Sequence, residues 1–245
     1  MRQEQFTLSA IRPLADGIYE MNLEGDTGSL HSPGQFVNIR IPGLFLRRPI
    51  SVCDYDSGVL TLIVRVAGKG TDILTGLPVG SRLDLLCGLG NGFDVSKSGT
   101  NPLLIGGGVG CAPLFGLCRR LRDAGRTVDI LMGFNRAEEI FYVDEFEALG
   151  ATVHIATADG SLGTKGFVTA LIPRFSPTYF YACGPEPMYR AMHTHLNAKG
   201  QYSYEARMGC GFGACVGCSM ETADGVRRVC KDGPVFESEA LLWNN

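Results

Sequence analysis

The spacing of apolar residues divides the chain into three parts. In residues 1–99, apolar and polar positions alternate over short runs separated by Gly- and Pro-containing turns. Alternation with a period of two is typical of half-buried strands. The predicted strands cover residues 6–11, 18–23, 35–41 and 60–66. Short strands at this spacing predict a small antiparallel β-barrel.

Residues 100–201 show a different pattern, in which short apolar runs alternate with segments of helical periodicity. Strands are predicted at 103–105, 128–132, 153–156 and 179–182, and helices at 112–124, 138–149 and 186–199. Strand–helix alternation predicts a parallel, doubly wound sheet.

Residues 202–245 form the third part, which is dominated by cysteine and glycine. Cys210, Cys215 and Cys218 are spaced C-x4-C-x2-C, and Cys230 follows after two short predicted strands around an Asp-Gly turn. This is the plant-type ligand spacing of a [2Fe–2S] cluster. A module of this size buries too little apolar surface to fold alone, so metal binding is expected to supply part of its stability.

Two other uses of these cysteines compete with the cluster. Structural zinc also takes four thiolates, although zinc sites favour paired C-x2–4-C knuckles and three of these cysteines share one Gly-rich loop. Disulfides need an oxidising compartment, whereas the first residues contain no apolar signal segment and export is not expected. The spacing favours the iron–sulfur cluster, and zinc stays open as the alternative.

Composition limits the remaining possibilities. The 245 residues suffice for two ordinary domains and a small module, and the 45% hydrophobic content is typical of globular proteins. A net charge of −3 offers no electrostatic basis for binding nucleic acid or a membrane surface. The longest uncharged stretch, residues 102–118, is too short to span a bilayer. Nine cysteines without a signal segment fit a reducing compartment, so a cytoplasmic location is expected.

Two motifs in the first part have phosphate-binding chemistry. Arg-Pro-Ile-Ser at 48–51 opens a strand, where the arginine can offer a planar fork to a phosphate and the serine a hydrogen bond. Gly-Lys-Gly-Thr at 68–71 precedes a short predicted helix at 72–76, whose free N–H groups suit a pyrophosphate. Each motif is weak alone, and their order within one barrel segment strengthens both.

Two further motifs stand at the carboxyl ends of strands in the second part. Gly-Gly-Gly-Val-Gly at 106–110 follows a strand and precedes a helix, which is the context of a dinucleotide-phosphate loop. Cys-Gly-Pro-Glu-Pro-Met at 183–188 ends the last predicted strand. Because ligands bind at the carboxyl ends of strands in a doubly wound sheet, we expect a nicotinamide ring to approach Gly184, with Cys183 beside it.

Other reactive side chains are assigned no chemistry. His193 and His195 lie two positions apart on a predicted helix and face different sides, so both are expected at the surface. Cys53, Cys87 and Cys118 are expected to pack as small apolar residues. The sequence shows no Ser-His-Asp arrangement and no general base, so no catalytic side chain is predicted.

The four motifs, taken in order, resemble those of the ferredoxin–NADP reductase superfamily. With the cysteine module and the segments 159–166 and 230–236, nearly the whole chain is similar to the electron-transfer subunits of NAD-linked (class 1B) dihydroorotate dehydrogenase. The resemblance implies an α+β multidomain fold. Its parts would be an antiparallel β-barrel flavin domain (1–99), a doubly wound α/β nucleotide domain (100–201) and a small C-terminal [2Fe–2S] module (202–245).

The resemblance also implies, by motif position, which residues hold each cofactor. Residues expected to contact FAD are Arg48, Pro49, Ile50, Ser51, Ile63, Val64, Arg65, Gly70 and Thr71. Residues expected to contact NAD are Gly106, Gly107, Gly108, Gly110, Cys183, Gly184 and Pro185. The implied cluster ligands are Cys210, Cys215, Cys218 and Cys230. Relatives often have an aromatic residue where this chain has Val64, so ring stacking on the flavin is not expected there.

A partner and a direction of electron flow follow from the same resemblance. The partner would be an FMN-containing catalytic subunit that oxidises dihydroorotate to orotate in pyrimidine biosynthesis, joined two plus two in a heterotetramer. Electrons would pass from FMN through the cluster to FAD, and then as a hydride to NAD⁺.

Three other functions remain open. The chain could be a subunit of an NAD(P)-linked ferredoxin reductase or sulfide dehydrogenase, although the compact spacing of Cys210 and Cys215 favours the dihydroorotate system. A redox sensor would need neither the flavin nor the nicotinamide motif. The reductase of an oxygenase normally carries a larger cluster domain.

Overall fold

The computed structural model of the chain describes residues 1–243. It begins with an antiparallel barrel closed in the order β1-β2-β5-β4-β3-β6, as the strand spacing predicts. The strands are β1 (Arg2–Ala15), β2 (Ile18–Glu24), β3 (Phe36–Ile39), β4 (Arg48–Asp56), β5 (Val59–Arg65) and β6 (Arg82–Leu89), and helix α1 (Lys69–Thr75) lies between β5 and β6.

Strand β6 is the barrel strand that the sequence analysis did not predict. Leu83, Leu85, Cys87 and Leu89 are buried, whereas the residues between them are partly exposed. This alternation directs every second side chain into the barrel. The signal was therefore present in the sequence as a period of two.

The second part of the chain forms a seven-stranded sheet in the order β10-β9-β8-β7-β11-β12-β15. Its strands are β7 (Pro102–Gly107), β8 (Asp129–Phe134), β9 (Thr152–Thr157), β10 (Thr164–Lys165), β11 (Tyr179–Cys183), β12 (Gly200–Ser203) and β15 (Val235–Glu237). The helices are α2 (Ala112–Asp123), α3 (Val143–Ala148) and α4 (Glu186–His195). All neighbouring strands are parallel except β12 and β15.

Two predicted helices are shorter than expected. In place of one helix over 138–149, the structure has a 3-10 turn at Ala137–Glu139 and then α3. Tyr142 separates the two with a left-handed backbone (φ 64°), and its hydroxyl donates to Glu20 of the barrel at 2.6 Å. The helix predicted over 186–199 ends at His195, because Leu196 is extended and leads into β12.

The barrel and the sheet share a hydrophobic core. Ile18 and Ile63 of the barrel are buried in the same cluster as Leu114 of α2 and Ile130 of β8. Polar contacts also cross this boundary. Arg119 of α2, for example, is paired with Asp54 of β4 at 2.5 Å. The two parts therefore pack face to face, and Arg65 of the barrel lines a cleft together with the glycine-containing motifs of the sheet.

The cysteine-rich part packs on both the sheet and the barrel. Strands β13 (Ser219–Thr222) and β14 (Gly225–Arg228) form the predicted hairpin, and helix α5 (Val229–Asp232) carries Cys230. The strand β15 that follows completes the nucleotide-domain sheet. The division at residues 99/100 and 201/202 stays a prediction, and β12 extends across the second of these positions.

The remaining reactive residues lie where they are expected. Cys53, Cys87 and Cys118 are at most 1% exposed and belong to hydrophobic clusters. His193 and His195 are exposed, and His193 stacks on Trp243. Within residues 1–243, the helices are too short or too polar to cross a membrane.

Candidate functional site

A cavity of about 460 Å³ opens at the carboxyl ends of the parallel strands, facing the barrel. Arg65 of β5 contributes to its wall from the barrel side. The other lining residues include Gly107, Gly108, Gly110, Gly184, Pro185 and Glu205. The position agrees with the general rule for ligand sites in doubly wound sheets. Its size suits part of a dinucleotide.

The two glycine-containing motifs of the sheet meet at this cavity. A Cβ added to Gly110 would lie 2.6 Å from the carbonyl carbon of Cys183 and would clash with its oxygen. A Cβ added to Gly184 would lie 2.6 Å from the methyl carbon of Met188. The backbone of the Gly-Gly-Gly-Val-Gly loop therefore lies against the backbone of the Cys-Gly-Pro turn, at a distance that only glycine permits. A ligand can then lie directly on this backbone surface. Gly106, by contrast, lies behind the loop against Cys111.

Tyr189 fixes the Cys-Gly-Pro turn from below. Its buried hydroxyl accepts a hydrogen bond from the Gly184 N–H at 2.8 Å and donates one to the carbonyl of Ser203. Cys183 is 1% exposed at the end of β11, and burial raises the pKa of its thiol. The thiol is therefore protonated and neutral at physiological pH, which fits the predicted role of a soft apolar wall.

The two phosphate-binding motifs of the barrel also come together. A Cβ on Gly70 would clash with the Arg48 Nε atom, so the guanidinium of Arg48 lies against the first turn of α1. Arg48 Nη1 donates to the carbonyl of Leu46 at 2.8 Å, which orients the group. Thr71 serves the loop itself, because its hydroxyl accepts from the Ala67 N–H at 2.9 Å and donates to the Gly68 carbonyl at 3.0 Å.

The predicted flavin residues of β5 point to different sides. Ile63 is buried in the core shared with the sheet, and Arg65 is exposed toward the cavity. Val64 is 1% exposed and belongs to the barrel core, so its side chain points away from the cleft. Pro49, Ile50 and Ser51 are partly exposed on β4.

The four predicted cluster ligands occur as two pairs. The Cys215 N–H lies 3.4 Å from the Cys210 sulfur, and the Cys230 N–H lies 3.5 Å from the Cys218 sulfur. Cys218 and Cys230 are buried, whereas Cys210 and Cys215 are partly exposed. A [2Fe–2S] cluster needs two thiolates on each iron, so a pair for each iron fits the donor set. Residues 1–243 hold no group of three or more His, Cys, Asp or Glu side chains placed around a single ion.

The backbone amides of the glycine-rich loop also stabilise the ionised form of Cys210. Burial alone would raise the pKa of Cys210. Hydrogen bonds from the amides of Cys215, Phe212 and Ala214 outweigh burial and lower that pKa to about 6. In the buried pair, burial and the neighbouring Cys218 raise the pKa of Cys230 to about 12. Amides that stabilise a thiolate also donate to cluster sulfur, which is how loops of this kind tune a cluster.

Asn38 connects the loop that carries three of the predicted ligands (residues 210–218, the cluster loop) to the barrel. Its buried side-chain amide donates to the carbonyl of Cys210 at 3.0 Å, and Gly211 packs directly on it. Asn38 lies on β3 opposite Pro49 of β4. The cluster loop therefore lies close to β4, the strand that carries the Arg-Pro-Ile-Ser motif.

The sequence analysis missed Asn38 and Glu205. Asn38 has no distinguishing local pattern, because its importance comes from a contact 172 positions away along the chain. Glu205 follows β12, a strand that the apolar spacing did not predict. Its position after a strand end would have been the signal.

Two family models match the chain. An iron–sulfur cluster binding domain of dihydroorotate dehydrogenase B matches residues 205–242, and an oxidoreductase NAD-binding domain matches residues 104–194. The cluster is thereby favoured over zinc. The first match contains all four predicted ligand cysteines, and the second contains both glycine-containing motifs of the cavity in full.

Full-length relatives are similar at about 40% identity. An electron transfer subunit of dihydroorotate dehydrogenase B (NAD(+)) from Geobacillus sp. (strain WCH70) is 42% identical, with 99% of both chains covered. The subunit of the same name from Lysinibacillus sphaericus (strain C3-41) is 40% identical, over 96% of this chain and 97% of its own.

Solved structures agree with the fold. The chain is similar to a structure of NADH-dependent reduced ferredoxin–NADP oxidoreductase, with a TM-score of 0.88 and 27% identity over 97% of this chain and 90% of that one. The cytochrome b5 reductase domain of Ulva prolifera nitrate reductase shares the fold, with a TM-score of 0.67 at 18% identity over 80% of this chain and 92% of that one.

The comparisons confirm the predicted superfamily, fold class and cofactors, namely FAD, a [2Fe–2S] cluster and NAD. Individual contact residues stay predictions. With about 40% identity over essentially the full length of its relatives, the chain belongs to the family of electron transfer subunits of dihydroorotate dehydrogenase B (NAD(+)).

Proposed function

We propose that this chain carries electrons from a dihydroorotate dehydrogenase catalytic subunit, through its cluster and FAD, to NAD⁺. The relatives are named as electron transfer subunits of that enzyme, and such a subunit requires a catalytic partner. The observation that best supports the order of carriers is the Asn38–Cys210 hydrogen bond, which rests a predicted cluster ligand against the flavin-motif strands. Cluster and flavin would then lie next to each other in series.

The chain's own residues would bind and orient the carriers. Arg48 and the first turn of α1 would hold a pyrophosphate on the barrel, and Gly107 with Gly110 would seat a second one on the sheet. FAD supplies the conversion between single electrons and a hydride pair. The closely packed floor at Gly184 would let the nicotinamide ring lie on the backbone with water excluded.

The partner would be an FMN-containing catalytic subunit, joined two plus two in a cytoplasmic heterotetramer. Phe212 and Val216 support a docking surface on the cluster loop, because their side chains are 43% and 75% exposed beside the ligands. Exposed apolar residues of this kind favour a protein interface. Contact at this loop would bring the donor flavin close to the cluster.

Removing one cluster ligand tests the series order. In the reconstituted complex, Cys215→Ala is expected to abolish dihydroorotate-dependent NAD⁺ reduction, because the entry point for electrons is lost. NADH-dependent reduction of ferricyanide through FAD should persist in the same preparation. Both rates are measured by absorbance, and cluster loss by electron paramagnetic resonance.

Cys118→Ala is the matched control, since Cys118 is a buried thiol outside the cluster module. It should keep the cluster and both activities. Equal loss of the two activities in Cys215→Ala would show that cluster and flavin do not act in series.

The similarity to a ferredoxin–NADP oxidoreductase supports a second candidate, a subunit of a ferredoxin-linked enzyme. Identification of the protein that co-purifies with this chain distinguishes the two. Recovery of an FMN-bearing dihydroorotate dehydrogenase supports the first function, and recovery of a ferredoxin-linked flavoprotein supports the second.

A further inference from the structure

Asn38 is a buried polar residue on a strand that is otherwise apolar. All four residues of β3 are buried, and its neighbours Val37 and Ile39 belong to the barrel core. The side chain of Asn38 faces the cluster loop instead, because its Nδ2 atom donates to the carbonyl of Cys210 at 3.0 Å. The barrel thereby holds the backbone of a predicted cluster ligand directly.

The amide of Asn38 is retained in spite of an unfavourable environment. The residue is 1% exposed, and its Oδ1 atom has no hydrogen-bond partner within residues 1–243. A buried acceptor without a donor destabilises the folded state. An apolar side chain would fill the same position without this penalty, so the donor half of the amide is the part of Asn38 that needs an explanation.

The backbone of Asn38 is fixed from several sides. It pairs with Pro49 of β4 and with Leu86 of β6. Arg47 donates to the carbonyl of Asn38 at 3.3 Å and forms an ion pair with Asp84 at 2.9 Å. The donor that reaches the cluster loop therefore stands on a rigid part of the barrel.

The bond from Asn38 sets the orientation of the peptide that follows Cys210. Gly211 continues the loop with a left-handed backbone (φ 76°), and a Cβ at Gly211 would clash with the Asn38 Nδ2 atom. The chain then turns so that later amides of the loop, including that of Cys215 at 3.4 Å, donate to the Cys210 sulfur. The carbonyl of Cys210 is thus held by Asn38, while its sulfur is held by the amides that this turn directs.

Hydrogen bonds to ligand sulfur are one of the factors that set the reduction potential of an iron–sulfur cluster. A reduced cluster carries one more negative charge than an oxidised one. Amide dipoles directed at its sulfur stabilise the reduced form more strongly, so they raise the potential. Without the Asn38 donor, the peptide between Cys210 and Gly211 would be free to rotate, and the amides would move away from the sulfur.

We propose that Asn38 is a positioning residue for the cluster, which raises the reduction potential of the cluster by fixing the peptide that follows Cys210. This role goes beyond the proposed function, since it depends on Cys210 as a cluster ligand and not on which subunit supplies the electrons. The flavin-binding barrel would in this way also set how readily the cluster accepts an electron.

The test measures the midpoint potential of the cluster in the purified holoprotein, by redox titration followed by electron paramagnetic resonance. Asn38→Leu keeps the branching at Cγ, removes the donor and adds no charge. We expect a shift of the cluster to a more negative potential, together with altered g values. The potential of FAD, titrated in the same sample by absorbance, should stay unchanged.

Asn22→Leu is the matched control, because the amide of Asn22 on β2 bonds only within the barrel. Its Nδ2 atom donates to Glu20 at 3.3 Å, and its Oδ1 atom accepts from Thr61 at 2.9 Å. Thermal denaturation should show a loss of stability in this variant. The cluster potential and the g values should remain those of the wild type.

An unchanged cluster potential in Asn38→Leu, or equal shifts in Asn38→Leu and Asn22→Leu, would overturn the proposal. If Asn38→Leu assembles no cluster, Asn38→Ala, which removes the donor without filling the space, is titrated with the same expectation. Loss of the cluster from both Asn38 variants with FAD retained would support the positioning role. Loss of cluster and FAD together would overturn it, because Asn38 would then stabilise the whole barrel. These measurements need no catalytic subunit, so the proposed function is tested separately by Cys215→Ala.

Discussion

At the scale of single residues, the site depends on positions where a side chain is missing. Gly110 and Gly184 allow the nucleotide loop and the Cys-Gly-Pro turn to approach with backbone against backbone. A methyl group at Gly110 would meet a carbonyl group, which cannot rotate away as a flexible side chain can. The local glycine requirement is thus set by a contact between two segments that are distant in sequence.

We expect Gly110→Ala to destabilise the holoprotein by about 3 kcal/mol and to weaken NAD⁺ binding, because the Cys183 backbone must move. Chemical denaturation and calorimetric titration measure the two effects. Gly108→Ala is the matched control in the same loop, since a Cβ there meets nothing within 4 Å and only the positive φ of 55° opposes it. Its cost should stay near about 1 kcal/mol. A smaller effect for Gly110→Ala than for Gly108→Ala would contradict the packing argument.

At the scale of elements, polar contacts fasten the nucleotide domain to the barrel. Glu20 of β2 accepts two hydrogen bonds from Arg12, at 2.7 and 3.0 Å, and one from Tyr142 at 2.6 Å. Burial alone would raise the pKa of Glu20, but these hydrogen bonds hold that pKa below its usual value. Arg12 also reaches Glu145 of α3 at 3.3 Å. The left-handed turn at Tyr142, which interrupts the predicted helix, is what places the hydroxyl on Glu20.

Removing the Tyr142 hydroxyl should therefore weaken the junction. We expect Tyr142→Phe to lower the free energy of unfolding by about 2 kcal/mol, because a hydrogen bond to a buried charge is lost. Urea denaturation measures it. Tyr19→Phe is the control, since within the described chain the Tyr19 hydroxyl forms no hydrogen bond. Similar small losses in both variants would show that the interdomain bond contributes little.

At the scale of the whole molecule, the barrel lies between the cluster loop and the cavity of the sheet and contacts both. The cluster loop lies against the barrel through Asn38, and the barrel faces the cavity of the sheet through Arg65. Strand β15 ties the cysteine-rich part to the sheet as well. Phe212 and Val216 are exposed on the outer face of the cluster loop, where we propose that the partner docks.

A charge on this face should weaken assembly. We expect Val216→Asp to raise the dissociation constant for the catalytic subunit by about 10-fold or more, since desolvating a carboxylate in an apolar interface is unfavourable. Val79→Asp is the control, because Val79 is 60% exposed in the connection between α1 and β6, which is not part of the cluster loop. Analytical ultracentrifugation measures assembly, and an unchanged electron paramagnetic resonance spectrum shows that the cluster is retained. Equal effects of the two variants would remove the docking surface from this loop.

Features encoded locally could be predicted from the sequence. The four cysteines, the glycine loops and most strands follow from spacing over a few residues, because thiolate geometry, positive φ and the pleat of a strand are local constraints. Local spacing is enough to identify Gly110 and Cys183, although it does not reveal the contact between them. The barrel, the parallel sheet and the cluster module follow from the same patterns.

Only the tertiary structure decided the remaining features. The break at Tyr142, the pairing of β15 with β12, and the inward orientation of Val64 result from contacts between distant segments. Asn38 likewise acquires its role from the Cys210 carbonyl that the folded chain places beside it. Periodicity reports which face of an element is buried, but it does not report what that face is buried against, and the site is assembled from those partners.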